Sequence, residues 1–198
     1  MMSATAAEQV PAPGVLGAET APRDTDADLL RRFAAGDGAA LGALASRYEG
    51  AMMGLAVGML SGNRDLARDA LQETWLRVIR HAKGYRGEAS VKTWIYRILV
   101  NRCINARAVA AKLAARSGIG AEVEPGASEL RLADEHEPLR CAVDSLSEDV
   151  RTLLLLCYHR GLSHAEAAQV LGIPPGTLKS RLHTALTALR ERLGKDER

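Results

Sequence analysis

Residues 161–193, GLSHAEAAQVLGIPPGTLKSRLHTALTALRERL, decide the fold of this chain. Ser163 is a good N-cap and Glu166 follows three residues later, the spacing of a capping box. Ala165, Ala168, Val170 and Leu171 supply the apolar face of a short first helix. Gly172 suits the left-handed position after a helix end, and Pro174 and Pro175 cannot continue that helix. The same prolines fit the first turn of a new one, where the N–H they lack would be unpaired anyway. In the second helix Leu178, Leu182, Leu186, Leu189 and Leu193 recur every three or four residues as an apolar stripe. Thr177, Lys179, Ser180, Arg181, His183 and Thr184 occupy its other face. Cations and hydroxyls at the start of a second helix suit a major groove, some meeting phosphates and others base edges. An ordinary helical hairpin with a solvated basic face would share the leucine stripe. Cap, turn and basic face occur here together, in the order a helix-turn-helix requires.

Working outward, 198 residues allow one or two domains, and 47% apolar residues are enough for real cores. Aromatics are scarce at 4% while Ala, Leu and Arg abound, which predicts an all-α chain. A net charge of +2 gives no global polycation, but the charge is uneven. Between Arg64 and Arg107 ten Lys/Arg face four Asp/Glu, a local +6 that suits a phosphate backbone. Cys103, Cys141 and Cys157 are far apart, with no CxxC or Cys/His spacing. They read as thiols in a reducing cytoplasm, neither metal ligands nor disulfides. No apolar run is long enough to cross a membrane, and no signal peptide opens the chain.

Residues 1–24, rich in Ala, Pro, Gly and Thr, predict a disordered leader. A first helix opens at Asp26 with Asp28, Leu29, Leu30 and Phe33, its early acids complementing the helix dipole. A second runs from Asp37 to about Leu60, with Met52, Met53, Leu55 and Val57 as core candidates. Gly54 and Gly58 interrupt its regularity, and Ser61-Gly62-Asn63 is a turn. A third, from Arg64, buries Leu66, Ala70, Leu71, Trp75, Val78 and Ile79 and shows Asp65, Asp69, Gln72 and Glu73 elsewhere. After a loop at 84–90, a fourth, from Val91 to about Leu113, turns Trp94, Ile95, Ile98, Leu99 and Cys103 inward. Trp94 and Tyr96 are both tempting stacking platforms, but Trp94 is in phase with its apolar neighbours and reads as core. Residues 109–138, acidic and Gly/Pro-containing, read as a linker of about 100 Å if stretched at ~3.3 Å per residue. A second domain, 139–198, begins with a Leu-rich helix capped by Ser147.

Two segments then stand out together. Asp69-Ala-Leu-Gln-Glu-Thr-Trp75, with Lys92-Thr-Trp-Ile-Tyr-Arg97 and Asn101, resembles region 2 of extracytoplasmic-function (group IV) sigma factors of bacterial RNA polymerase. Gly161 to His183 resembles region 4 of the same family. The resemblance implies two small helical domains on a flexible linker: a region 2-like one over 25–108, and over 139–198 a helix-turn-helix of winged-helix-like, region 4 type. It implies no catalytic residue, metal or cofactor, and a cytoplasmic protein whose partners are core polymerase (β′ clamp and β flap), promoter DNA and an anti-sigma factor.

It also implies a division of labour. Asp69, Gln72 and Glu73 would meet the polymerase, since exposed carboxylates suit a basic partner. Lys83, Tyr85, Arg86, Lys92, Arg97, Asn101, Arg102, Asn105 and Arg107 would serve the −10 element and melted strand, where an extruded base needs a polar pocket and nearby cations. Thr177, Lys179, Ser180, Arg181, His183 and Thr184 would read the −35 element, helped by the helix N-terminus. The family often carries more acids before its QET, Asp at the place of Asn105 and Arg at the place of Ala108. No catalytic dyad or nucleotide-binding loop is visible, which speaks against an enzyme and a small-molecule substrate. A stand-alone regulator on duplex operators is the alternative, and a protein-binding adaptor a third; both leave the QET and TWxYR segments unexplained.

Overall fold

The computed structural model describes residues 24–117, 142–143 and 145–196; the leader and most of the expected linker lie outside them. Every regular element among the described residues is helical. Helix α1 (Asp26–Ala34) is capped by Thr25, whose hydroxyl accepts from the Asp28 N–H while the Asp28 carboxylate accepts from the Thr25 N–H, both at 3.2 Å. Asp37 caps α2 (Gly38–Met59) by accepting from the Ala39 N–H at 3.0 Å and also holds Arg32. The Tyr48 hydroxyl and Arg47 both reach back to Asp26, tying the first turn of α1 to the middle of α2. Asn63 caps α3 (Arg64–His81) at the Leu66 N–H. A 3-10 turn at Ala82–Gly84 leads into the loop before α4 (Val91–Ser117), where Ser90 accepts from the Thr93 N–H at 3.1 Å.

Helix α4 is the axis of the molecule. Its 27 residues span roughly 40 Å, and α1, α2 and α3 all pack on it. It runs to Ser117, past the end near Leu113 that its sequence pattern gives it and into the segment counted as linker from 109; Val109, Ala110 and Leu113 continue its apolar repeat past Arg107. Ile95, Leu99, Val100 and Cys103 are buried on it, as expected for all but Val100. Trp94 packs against the core as expected, and Tyr96 lies deeper still. Tyr96 is 2% exposed and meets Tyr48 edge-on with ring centroids 6.3 Å apart, whereas Trp94 is only half-buried. A helix covered on several sides buries more than one stripe, so phase alone ranks its aromatics wrongly. Ile79, expected inside, is 44% exposed at the rim of α3, and buried Thr74 bonds the Ala70 carbonyl at 2.7 Å.

The second half opens with α5 (Glu148–Leu154), which continues as a π turn over Leu155–His159. Ser147 stands at the N-cap without a side-chain hydrogen bond. The π turn is closed by the Arg160 N–H donating to the Leu155 carbonyl at 3.0 Å. Helix α6 (His164–Leu171) carries the expected capping box, Glu166 accepting from the Ser163 N–H at 2.9 Å and Ser163 accepting in return. Gly172 closes it at φ 66° and ψ 31°, a left-handed geometry costly for a residue with a Cβ. Helix α7 (Pro175–Asp196) follows and buries Leu178, Leu182, Ala185 and Leu189.

The two halves are in contact. Helix α6 lies along α4, while α5 and the π turn lie on α2, and one apolar cluster runs from Leu29 through Leu99 to Leu156 and Leu178. The sequence reading joined the two domains by a flexible linker long enough for them to sit separately; in this structure they are in contact.

Candidate nucleic-acid and polymerase interface

Three surfaces gather the residues singled out in the sequence. The first is the exposed start of α7. Lys179, Ser180, Arg181, His183 and Thr184 are exposed there and Thr177 is half-buried. The hydroxyls of Ser180 and Thr184 bond the carbonyls of Thr177 and Ser180 at 3.0 and 3.1 Å, which fixes them on the helix surface. No carboxylate occurs from Ile173 to Arg190, so the local potential is positive.

The second surface is a cleft of about 170 Å³ between α3 and α4, lined by Arg77, His81, Trp94, Ile98, Asn101 and Arg102. Two guanidiniums, an imidazole, an amide and the edge of an indole meet there, and no acid joins them. Such a cleft suits a phosphate beside a planar ring. Arg77 Nε is buried without a hydrogen-bond partner among the described residues. The loop beside the cleft is braced from within: the Tyr85 hydroxyl donates to the Ala89 carbonyl, and its ring lies 5.3 Å from that of Trp94. Lys83, Arg86 and Arg97 are exposed, and Arg97 lines a separate hollow with Thr93 and Trp94.

Of the nine expected −10 residues only Asn101 and Arg102 line this cleft, and three of the others are engaged elsewhere. Arg107 is 21% exposed and paired with Glu148 at 2.6 Å and Asp149 at 3.9 Å, both from α5. Lys92 lies near Glu166 of α6 and helps hold that carboxyl below its ordinary range, behind the larger effect of the Ser163 cap. Asn105 lines the third surface. Conversely, Arg77 and His81 were missed. They lie on α3 one and two turns after Glu73, and only the packing of α3 on α4 brings them to Asn101.

The third surface is an apolar groove of about 350 Å³ between the start of α3 and the end of α4. Leu66, Ala70, Ala106, Val109, Ala110 and Leu113 line it, with Asp69 and Glu73 at its edge. Val109 and Leu113 are 57% and 61% exposed, large apolar groups at the surface. Gln72 is exposed on the same helix as Asp69 and Glu73. The sequence singled out the carboxylates and missed the apolar floor, because the floor forms only where α3 packs on α4.

The remaining chemistry is sparse. Among the described residues no cluster of His, Cys, Asp and Glu is placed to hold a metal, and no helix is long and apolar enough to cross a membrane. Burial pushes the Cys103 thiol up to about 12, and Cys157 is partly exposed. Cys141 lies outside the described residues.

Comparison with known proteins identifies the two halves of the chain. The Sigma-70 region 2 family matches residues 44–112, and the Sigma-70 region 4 family matches residues 136–189. An ECF RNA polymerase sigma factor, SigM of Mycobacterium tuberculosis, is 32% identical over 170 residues, covering 86% of this chain and 85% of its own. The ECF RNA polymerase sigma-E factor of Haemophilus influenzae is 28% identical over 182 residues, covering 85% and 95%. CnrH, solved in complex with the cytosolic domain of CnrY, shares the fold at a TM-score of 0.64 and 22% identity, over 87% of this chain and 99% of its own. The sigma factor RpoE of Bartonella quintana, solved with the anti-sigma factor NepR, does so at 0.57 and 24% identity, over 73% and 90%. With both regions matched in order and a relative of this identity spanning most of both chains, the chain belongs to the extracytoplasmic-function family of sigma factors, which direct RNA polymerase to promoters.

Proposed function

We propose that the three surfaces divide promoter recognition among them. Helix α7 reads the −35 element through Lys179, Ser180, Arg181 and His183, with Thr177 and Thr184 at its flanks. The α3–α4 cleft holds the −10 element and the separated strand through Arg97, Asn101 and Arg102. Arg77 and His81 contribute from α3, and Lys83, Tyr85 and Arg86 shape the loop. The acidic rim at Asp69, Gln72 and Glu73, with the groove behind it, meets core polymerase. The polymerase supplies the chemistry, and strand opening follows from tighter binding of separated strands than of duplex. An anti-sigma factor of the kind seen with RpoE would compete for these surfaces.

The observation that carries this reading is the separation of charge. Asp69 and Glu73 edge the groove at the first half of α3, where Arg68 is paired with Asp65, while the cleft at its other end and the start of α7 present cations with no acid. A stand-alone operator-binding protein has no use for the first of these.

The test is run-off transcription from a library of genomic promoters with core polymerase, with and without this chain. New start sites are expected only with both proteins, and their absence across the library would refute the reading. Arg77→Gln tests the cleft. As a phosphate contact, its loss weakens holoenzyme binding on all sequences alike and reduces the slope of log K against log[salt] by about 1. An unchanged slope would make Arg77 a purely structural residue.

A further inference from the structure

From the exposed face of α4 we infer that Ile104 reads a thymine of the −10 element through its C5-methyl group, and so sets the base preference at one position of that element. The inference deepens the assignment of this side of the molecule to the −10 element and rests on it.

Helix α4 presents no negative charge anywhere along its length. Its 27 residues carry six cations, Lys92, Arg97, Arg102, Arg107, Lys112 and Arg116, and no carboxylate. Lys92 and Arg107 face acids of the second half, whereas Arg97, Lys112 and Arg116 are exposed. Arg97 and Lys112 are fifteen residues apart, about 22 Å of helix at ~1.5 Å per residue. A major groove is about 12 Å wide, so cations at this separation reach phosphates on its two walls while the side chains between them face base edges.

One stripe of α4 is open from end to end. Arg97, Asn101, Ile104, Ala108, Ala111 and Ala115 recur every three or four residues, and all six are exposed. Ile104 is the one large apolar group among them, 39% exposed and outside the apolar cluster of the core. Single apolar groups are common on protein surfaces and by themselves indicate nothing. This one differs by its place. Asn101, which lines the α3–α4 cleft, stands one turn before it, and the three alanines after it let the helix backbone come close to a partner. Val109 and Leu113, the other exposed apolar groups of α4, line the groove by α3 instead. At 3.6 residues per turn, Ile104 points about 140° away from Val109.

The base that suits such a face follows from its chemistry. In the major groove adenine shows an acceptor beside a donor, which an Asn amide meets with two hydrogen bonds, and thymine shows a methyl group. Ile104 follows Asn101 by three residues, about 4.5 Å of rise against ~3.4 Å for one base step. The two side chains therefore meet neighbouring bases, Asn101 an adenine edge and Ile104 a thymine methyl. Guanine, cytosine and adenine offer polar groups at that place, and an isoleucine would leave them without a partner.

The experiment uses holoenzyme containing the wild-type chain or Ile104→Ala, on a promoter returned by the run-off assay. Each thymine of the −10 element, on either strand, is replaced in turn by deoxyuridine, which removes one methyl group and leaves base pairing intact. Anisotropy of the fluorescent promoter fragment reads affinity. One such replacement is expected to weaken wild type about fourfold, the effect of exposing about one buried methyl group. Ile104→Ala should bind both templates alike, at the affinity of wild type on the deoxyuridine template. Alanine favours helix and the position is exposed, so the variant keeps the fold, which circular dichroism checks. Wild type indifferent to deoxyuridine at every thymine, a −10 element that contains no thymine, or a variant that retains the fourfold difference overturns the inference. Affinity unchanged when the whole −10 element is scrambled would overturn the assignment of this side of the molecule, and the inference with it.

Discussion

Gly172 isolates one term of the stability of the helix-turn-helix. Its φ of 66° lies in the left-handed region, and nothing stands within 4 Å of where a Cβ would be. Gly172→Ala therefore meets no clash and carries only the backbone penalty of about 1–2 kcal/mol. Alanine also narrows the unfolded ensemble, which returns about 0.4–1 kcal/mol. The expected net loss is about 1 kcal/mol. Asparagine tolerates this conformation better, so Gly172→Asn should fall between wild type and Ala. Because one core joins both halves, urea unfolding followed by far-UV circular dichroism should report the change as a single transition. With a slope of about 2 kcal/mol per molar urea, the Ala midpoint moves down by about 0.5 M. Alanine as stable as wild type, or asparagine less stable than alanine, would refute the assignment of the cost to backbone handedness.

Three further outcomes are expected. Arg181→Ala should weaken holoenzyme binding by about 1–3 kcal/mol on promoters with an intact −35 element; an equal loss on −35-substituted templates would mark a phosphate contact instead. Ser163, by its side-chain and backbone hydrogen bonds, depresses the Glu166 carboxyl below its ordinary 4.5, with Lys92 helping. Its contribution is thus complete above pH 4.5 and lost as pH falls through the lower folded value, so Glu166→Gln should flatten the acid limb of stability measured by urea midpoints from pH 7 to 3. Finally, Cys157 should react with a maleimide well before Cys103, whose buried thiol titrates only at about 12; mass spectrometry of labelled peptides reads the order, and faster labelling of Cys103 would contradict its burial.

The α6–turn–α7 motif was legible because its determinants are local. Ser163 and Glu166 lie within one helical turn of each other, Gly172 answers to its own φ, and the leucines of α7 face one side only. The order of surfaces was legible for the same reason: Asp69 and Glu73 are neighbours on one helix. What the sequence hid depends on which helices meet. Tyr96 is buried because α2 presents Tyr48 to it, and Trp94 is left at an edge that α6 only partly covers. Arg77 and His81 become part of a cleft only across the α3–α4 contact. Arg107 looked like one more cation on a basic helix, and its partners, Glu148 and Asp149, are about forty positions further along the chain. Gly54 and Gly58, which looked like weak points in α2, lie where a neighbour has to approach closely.

The π turn at Leu155–His159 bears on how this protein can change over generations. A widened turn holds one residue more than an α-helical turn, so it sets the phase of everything that follows it on the axis. Removing a single residue there, Tyr158 for instance at 63% exposure, would leave the hydrogen-bonded ladder whole. It would also rotate Arg160 by about 100° and draw it back about 1.5 Å, away from Gly54. Substitutions adjust the strength of a contact by degrees, whereas a one-residue deletion here exchanges which side chain makes it. Length variation at this turn therefore changes which side chain meets Gly54, whereas substitution changes only how it does so.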